Sequence, residues 1–211
     1  TVLGPGCWGL TLAWLLNDNF EDIVVWGRES DLNEDLVVNK HCSKPLEVQL
    51  DKKVEFTSDL KKAIDGADII LSVVATSGVR SVCEQLKQVG IKPEQPLVNA
   101  SKGLELNTLM RMSEVIKDVL PNQKVVILSG PTLAKEVLQG KPTAASVACE
   151  DMEVAEFVQK ACNVPNRFRL YTNSDVIGVE LGGSLKNVIA IASGFAHSME
   201  LGDNCMGTLL T

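Results

Sequence analysis

The sequence predicts an α/β protein built on a mainly parallel sheet flanked by helices, followed by the opening helices of an all-helical second unit. Three observations predict it. From Thr1 to about Thr172, short β-branched runs alternate with longer amphipathic stretches, the rhythm of repeated βα units. A glycine-rich turn, Gly4-Pro5-Gly6-Cys7-Trp8-Gly9, joins the first of these runs to the first helical stretch. Beyond Asn173 the strand signals stop, and apolar residues recur at helical spacing from Val176 to Met199. These changes of rhythm divide the chain into a unit at 1–173 and a second at 174–211.

Strands are expected at 1–3, 23–26, 54–57, 68–75, 96–100, 124–129, 144–148 and 168–171, wherever short runs of Val, Ile and Leu stand between turn residues. Helices are expected at 8–16, 58–65, 78–89, 108–120 and 152–162, where apolar residues fall three or four apart and cover one face. Ser58 and Asp151 precede two of them and are suited to accept a bond from an unpaired first-turn N–H. Residues 28–53 are polar, charged and weakly periodic, which predicts a long surface excursion. Within the late helical run, Gly178, Gly182, Gly183 and Gly194 each cost a helix interior about 1 kcal/mol relative to alanine. Glycines kept at that cost point to close approach by another backbone or a ligand.

Composition narrows the function. The chain has 211 residues, 45% of them hydrophobic, enough to bury a substantial core. Its 20 basic and 27 acidic residues give a net charge of −7, which excludes a general attraction for nucleic acid. Six cysteines lie apart without a C-x-x-C pair, so no metal site and no disulfide framework is expected, and they read as mostly buried thiols in a cytoplasmic protein. No apolar run is expected to reach the roughly 18 residues of a membrane span. Both ends read as cut: the chain starts without methionine three residues before the glycine turn and stops at Thr211 inside a helical stretch.

The glycine turn fits G-x-G-x-x-G between a strand and a helix, a Rossmann-type context. Gly4 permits the tight turn, Gly6 lets the backbone approach a pyrophosphate, and Gly9 lets the helix pack against the strand. A glycine-rich turn without a ligand is the plainer alternative. At the end of the second strand, Gly27-Arg28-Glu29 offers a guanidinium for a 2′-phosphate or adenine and an acid for ribose hydroxyls. NAD and NADP both remain open, with a lean toward dual use or NADP. Asn99-Ala100-Ser101-Lys102-Gly103 closes another strand, where ligands of open α/β sheets bind, although a strand-end lysine is often merely solvated. Ser129-Gly130-Pro131-Thr132-Leu133-Ala134-Lys135-Glu136 runs from a strand into a helix, with Thr132 a candidate cap. Lys186, in Gly182-Gly183-Ser184-Leu185-Lys186-Asn187, stands among small and apolar residues. Partial desolvation there would make it a usable proton donor; a packed stem with a solvated head is the alternative.

Taken in this order, G-P-G-C-W-G, V-V-W-G-R, S-K-G, S-G-P-T-L-A-K-E, Y-T-N-S-D-V-I-G-V-E-L-G-G-S-L-K-N-V and L-G-D-N resemble the NAD(P)-dependent glycerol-3-phosphate dehydrogenase family over nearly the whole chain. The resemblance implies a Rossmann domain followed by a helical domain. It also implies reversible reduction of dihydroxyacetone phosphate to sn-glycerol 3-phosphate with NAD or NADP as cofactor, a step that feeds phospholipid synthesis. By the same resemblance Lys186 is the general acid/base and Lys102 touches substrate and cofactor, lowering the pKa of Lys186 if the two converge. Gly4, Gly6, Cys7, Trp8, Gly9, Arg28 and Ala134 fall on cofactor-contacting positions, and Gly130, Thr132 and Asn187 on substrate-contacting ones. The family's remaining acid and phosphate-binding pair would follow Thr211, leaving part of the active site outside this chain, and a homodimer is possible. Two departures stand out. Ala75 replaces a common proline in Val73-Val74-Ala75-Thr76, and Cys7 replaces a common serine. A related β-hydroxyacid dehydrogenase and a noncatalytic dinucleotide sensor are the competing readings.

Overall fold

The computed structural model describes residues 1–210; Thr211, the end of the expected second unit, lies outside the described residues. In chain order the elements are β1 (Val2–Leu3), α1 (Cys7–Leu15), β2 (Ile23–Trp26), α2 (Glu34–Val38), β3 (His41–Cys42), β4 (Val48–Gln49), β5 (Val54–Thr57), α3 (Leu60–Ile64), β6 (Ile70–Ser72), α4 (Val79–Val89), β7 (Leu97–Asn99), α5 (Met112–Val119), β8 (Val125–Ser129), α6 (Ala134–Leu138), β9 (Thr143–Ala148), α7 (Met152–Cys162), β10 (Phe168–Asn173), α8 (Val176–Ser198) and α9 (Gly202–Leu210).

Eight strands form one sheet in the order β10-β9-β8-β7-β6-β1-β2-β5. All neighbours are parallel except β8 and β9, so the mainly parallel sheet of the α/β class is what the chain builds. Strand β1 is central and pairs with β2 on one side and β6 on the other, Val2 opposite both Val25 and Leu71. Chain connections therefore leave β1 in opposite directions, which opens a crevice at the carboxyl ends of β1, β2 and β6. Such strands bury both faces and read as continuous apolar runs; β8 is buried at every residue. One face packs Leu10, Leu12, Val25 and Phe168, the other Leu3, Ile70, Leu86 and Ile116.

Three local expectations are corrected. The cap of α3 is Asp59 rather than Ser58, its carboxylate accepting from the Lys62 N–H at 3.1 Å, whereas Asp151 caps α7 as expected. Residues 28–53 are not a featureless excursion. They hold α2, capped by Asn33, and the β3–β4 hairpin, and they bury Leu36, Val48 and Leu50 against the core. Elements of two to five residues are too short to show a period, which is why the pattern missed them. Finally, α8 does reach the length of a membrane span: it has 23 residues and a mean hydropathy of 1.3 in its most apolar window. Only 11% of that window is buried; along α8, Val176, Glu180 and Ala196 are covered, whereas Ile177, Val188, Ile191 and Phe195 are open. Of the six thiols, all free, Cys83, Cys149 and Cys162 are buried and the other three half-buried.

Candidate functional site

The first βα turn is shaped by its backbone. Gly4 has φ of +110°, a conformation L side chains rarely adopt, and a Cβ on Gly9 would lie inside contact distance of the Gly4 carbonyl oxygen. Both glycines are thus required by the fold. Gly6 differs: it is exposed, and a Cβ there would meet nothing within 4 Å. No protein atom demands a glycine at that point, so the open space above it is available to a ligand. Gly6 is also the N-cap of α1, contributes no side-chain cap, and is followed by a first turn without acidic residues. The first amides of α1 and the positive end of its dipole are left for an anion.

Above this turn lies a cleft of about 530 Å³, walled by Gly4 and Gly6, by Gly27, Arg28 and Asp31 after β2, and by Val74 after β6. A larger cavity of about 700 Å³ opens at the opposite ends of the same strands, between Val2, Ile23 and Ile69. The smaller one carries the chemistry, because in a parallel sheet the loops and helix N-termini converge at the carboxyl ends. Its size, exposed glycine and free amides fit a nicotinamide dinucleotide, whose pyrophosphate Gly4, Gly6 and the α1 N-terminus would hold.

Arg28 lines the cleft but is already engaged. Its Nε and Nη2 donate to the two Asp31 carboxylate oxygens at 2.8 and 2.9 Å, and this pairing raises the pKa of Arg28 and lowers that of Asp31. Cys7 and Trp8 begin α1 without lining the cleft; the Trp8 ring meets Phe168 edge-on at 6.3 Å. Ala134 opens α6, which packs on α1 and so brings the third motif beside the first.

Lys102 sits one loop away. The Ser101 hydroxyl donates to the Val74 carbonyl at 2.6 Å, and the Thr76 hydroxyl donates to the Lys102 carbonyl at 3.0 Å. These bonds tie the S-K-G loop to the segment after β6 that holds Ala75. Lys102 Nζ donates to the Gly130 carbonyl at 2.8 Å and the Thr132 hydroxyl at 3.0 Å, so Thr132 serves Lys102 and the N-cap of α6 is Leu133. Burial, and then the charge of Lys186, lower the pKa of Lys102. The ammonium of Lys102 is therefore pushed toward its neutral form by burial and a neighbouring charge. Lys186 and Asn187 are both exposed on α8, so of the two readings of Lys186 the exposed head, and not the desolvated one, is what the structure has. Glycine sets this approach: a Cβ on Gly183 would crowd the Ser129 hydroxyl and reach Lys102 Cγ at 3.8 Å. Lys102, Gly130 and Thr132 are thus drawn together at the ends of β7 and β8, and α8 passes close enough for the charge of Lys186 to act on Lys102. Two contributors were unforeseen, Glu180 and Ser184, because a polar residue in an apolar helix gives no sign of which partner it meets.

A sequence profile described as the NAD-dependent glycerol-3-phosphate dehydrogenase N-terminus matches residues 1–155, and the corresponding C-terminus profile matches residues 175–211. The chain belongs to this family. A glycerol-3-phosphate dehydrogenase [NAD(P)+] from a Thermoanaerobacter species is 43% identical over 211 residues, covering 100% of this chain and 63% of the relative. One from Bacillus pumilus is 42% identical over 216 residues, covering 100% of this chain and 62% of that protein. Among solved structures, glycerol-3-phosphate dehydrogenase from Coxiella burnetii superposes with a TM-score of 0.84 at 30% identity, covering 99% of this chain and 63% of that one. The Plasmodium falciparum enzyme gives 0.87 at 26% identity, covering 98% of this chain and 61% of its own. The chain therefore spans a little under two thirds of the length of these relatives.

In this member of the glycerol-3-phosphate dehydrogenase family, the loop after Lys102 is anchored electrostatically. Arg80 of α4 grips Glu105 through Nε at 2.7 Å and Nη2 at 2.9 Å and also pairs with Asp118. The guanidinium, followed by the Thr108 hydroxyl, holds the Glu105 carboxyl down to about 2 from the usual 4.5. A carboxyl depressed in the folded state stabilises above its unfolded pKa and loses that contribution as pH falls through the folded one. Thermal melts taken between pH 5 and about pH 2 are expected to fall less steeply in Glu105→Gln than in the parent. Parallel slopes would mean that this pair does not hold the loop.

Proposed function

We propose that the full-length protein reduces dihydroxyacetone phosphate to sn-glycerol 3-phosphate with NADH or NADPH, in the cytoplasm, and so supplies the glycerol phosphate used in phospholipid synthesis. The observation that carries this reading is Lys102, held by Gly130 and Thr132 beside the carboxyl ends of β7 and β8, with Gly183 of α8 packed close to it and the charge of Lys186 acting on it. When bound, the dinucleotide supplies the hydride. Lys186 donates a proton to the carbonyl oxygen of the substrate as that oxygen gains charge, and accepts it back in the reverse direction. Lys102, held by Gly130 and Thr132, adds a fixed positive charge near the same oxygen and the substrate phosphate. Asn187 offers an amide on the turn that carries Lys186. Oxidation of NADH or NADPH by the full-length protein, dependent on dihydroxyacetone phosphate, tests the reading; equal turnover of a carboxylate-bearing β-keto substrate would replace it.

Cofactor choice follows from the Arg28–Asp31 pair. A 2′-phosphate must compete with Asp31 for the guanidinium, whereas ribose hydroxyls need not. Asp31→Ala is expected to raise kcat/KM with NADPH by up to about fivefold, the ceiling set by an exposed ion pair, and to leave NADH nearly unchanged. An equal change for both cofactors would show that Arg28 does not read the 2′ position.

A further inference from the structure

Glu180 is the one buried carboxylate of α8, with a side chain 6% exposed, and the reaction proposed above makes no direct use of it. Its Oε1 accepts from the Ser113 backbone N–H at 2.8 Å; its Oε2 accepts from the Ser113 hydroxyl at 2.5 Å and from Arg111 Nη1 at 2.8 Å. Ser113 lies in the first turn of α5, whose amides have no partner within the helix. A carboxylate from α8 thus completes the N-terminus of α5 and meets the positive end of its dipole. Arg111 is held in turn by Glu114 at 2.8 Å. One helical turn further along α8, the Ser184 hydroxyl accepts from the Gly103 N–H at 3.0 Å, the residue next to Lys102.

Residues 180 and 184 are four apart and share a face of α8. One attachment point leaves a helix free to roll; two attachments, to different elements of the sheet unit, fix its rotation and its axial position. Lys186 follows Glu180 by six residues, about 9 Å along the axis, and lies three residues after Gly183, where α8 packs close to Lys102. We propose that Glu180 and Ser184 are positioning residues that lock α8 onto the sheet unit so that Lys186 faces Lys102. Neither touches substrate; each acts through the orientation of Lys186. This inference rests on the dehydrogenase reading.

The test uses the full-length protein and a double-mutant cycle. Glu180→Gln keeps the shape but removes the charge that Arg111 and the α5 amides hold. It is expected to lower kcat for dihydroxyacetone phosphate about 10- to 100-fold, the scale of a displacement near 1 Å, with the Kd for NADH within about twofold of the parent. In a Lys186→Ala background the same substitution is expected to change kcat by less than about twofold, because the group it positions is gone. Ser184→Ala, which removes a single bond at the helix surface, is expected to follow the same pattern with a smaller loss and covers the case in which Glu180→Gln does not fold. Parent kcat in folded Glu180→Gln or Ser184→Ala, or a loss that multiplies fully with that of Lys186→Ala, overturns the proposal and leaves the reading intact. A parent without turnover, or Lys186→Ala with full turnover, removes the reading and the proposal together.

Discussion

Lys186→Ala in the full-length protein is expected to cut kcat for dihydroxyacetone phosphate reduction by about 10²- to 10⁴-fold, the range of a positioned general acid. Water can still donate the proton, so the residual rate is small but measurable. The Kd for NADH is expected to stay near the parent value, because the dinucleotide cleft is walled by Gly4, Gly6, Arg28 and Val74 and not by α8. Lys102→Met is expected to act differently. That ammonium is half-buried and bonded to Gly130 and Thr132, and on the proposed reading its loss removes a fixed charge beside the substrate phosphate. A raised KM alongside a lower kcat separates it from Lys186. Steady-state rates under saturating NADH, with quenching of protein fluorescence to measure the Kd, check both. A Lys186→Ala enzyme whose kcat lies within about threefold of the parent would remove the proton-donor role.

Much of this architecture was legible in the sequence because it rests on local rules. A buried parallel strand must be continuously apolar, and Ile23–Trp26 appears at the bounds its apolar run predicts; the edge strand Val54–Thr57, where Val54 and Phe56 alternate with Glu55 and Thr57, also keeps its expected bounds. The glycine turn was legible because only glycine fits Gly4 and Gly9. Other features depend on contacts between residues far apart in the chain. Nothing in the local pattern says that Thr132 turns toward Lys102 instead of capping α6, or that Asp31 occupies the guanidinium of Arg28. Glu180 shows the limit most clearly. In the sequence it is an acid inside an apolar helix, and its meaning comes from an arginine and a serine almost seventy positions earlier. The exposure of Lys186 follows the same logic: residues 182–190 look apolar or small in sequence, yet desolvation depends on what packs over them, and in this structure Leu185, Val188 and Ile189 are open.

The glycine turn supplies the second large effect, and its two glycines are expected to fail in different ways. Gly9→Ala forces a methyl against the Gly4 carbonyl oxygen, a backbone atom that cannot rotate away. Gly4 is itself held, by its N–H donating to the Trp26 carbonyl at 2.8 Å, and its φ of +110° leaves little room to adjust. The strand end or α1 must shift, at an overpacking cost of about 1–3 kcal/mol, and the displaced α1 amides no longer converge on a pyrophosphate. Gly9→Ala is therefore expected to lower the melting temperature and also to weaken NADH at least about tenfold. Gly6→Ala meets no protein atom within 4 Å, and its φ of −74° suits any residue. Its melting temperature is expected to stay within about 2 °C of the parent while NADH affinity falls, because the methyl projects into the space a phosphate would fill. Calorimetry and fluorescence titration of the two variants side by side separate fold from ligand. If Gly6→Ala binds NADH as the parent does, the pyrophosphate does not lie over this turn, and the assignment of the cleft fails with it.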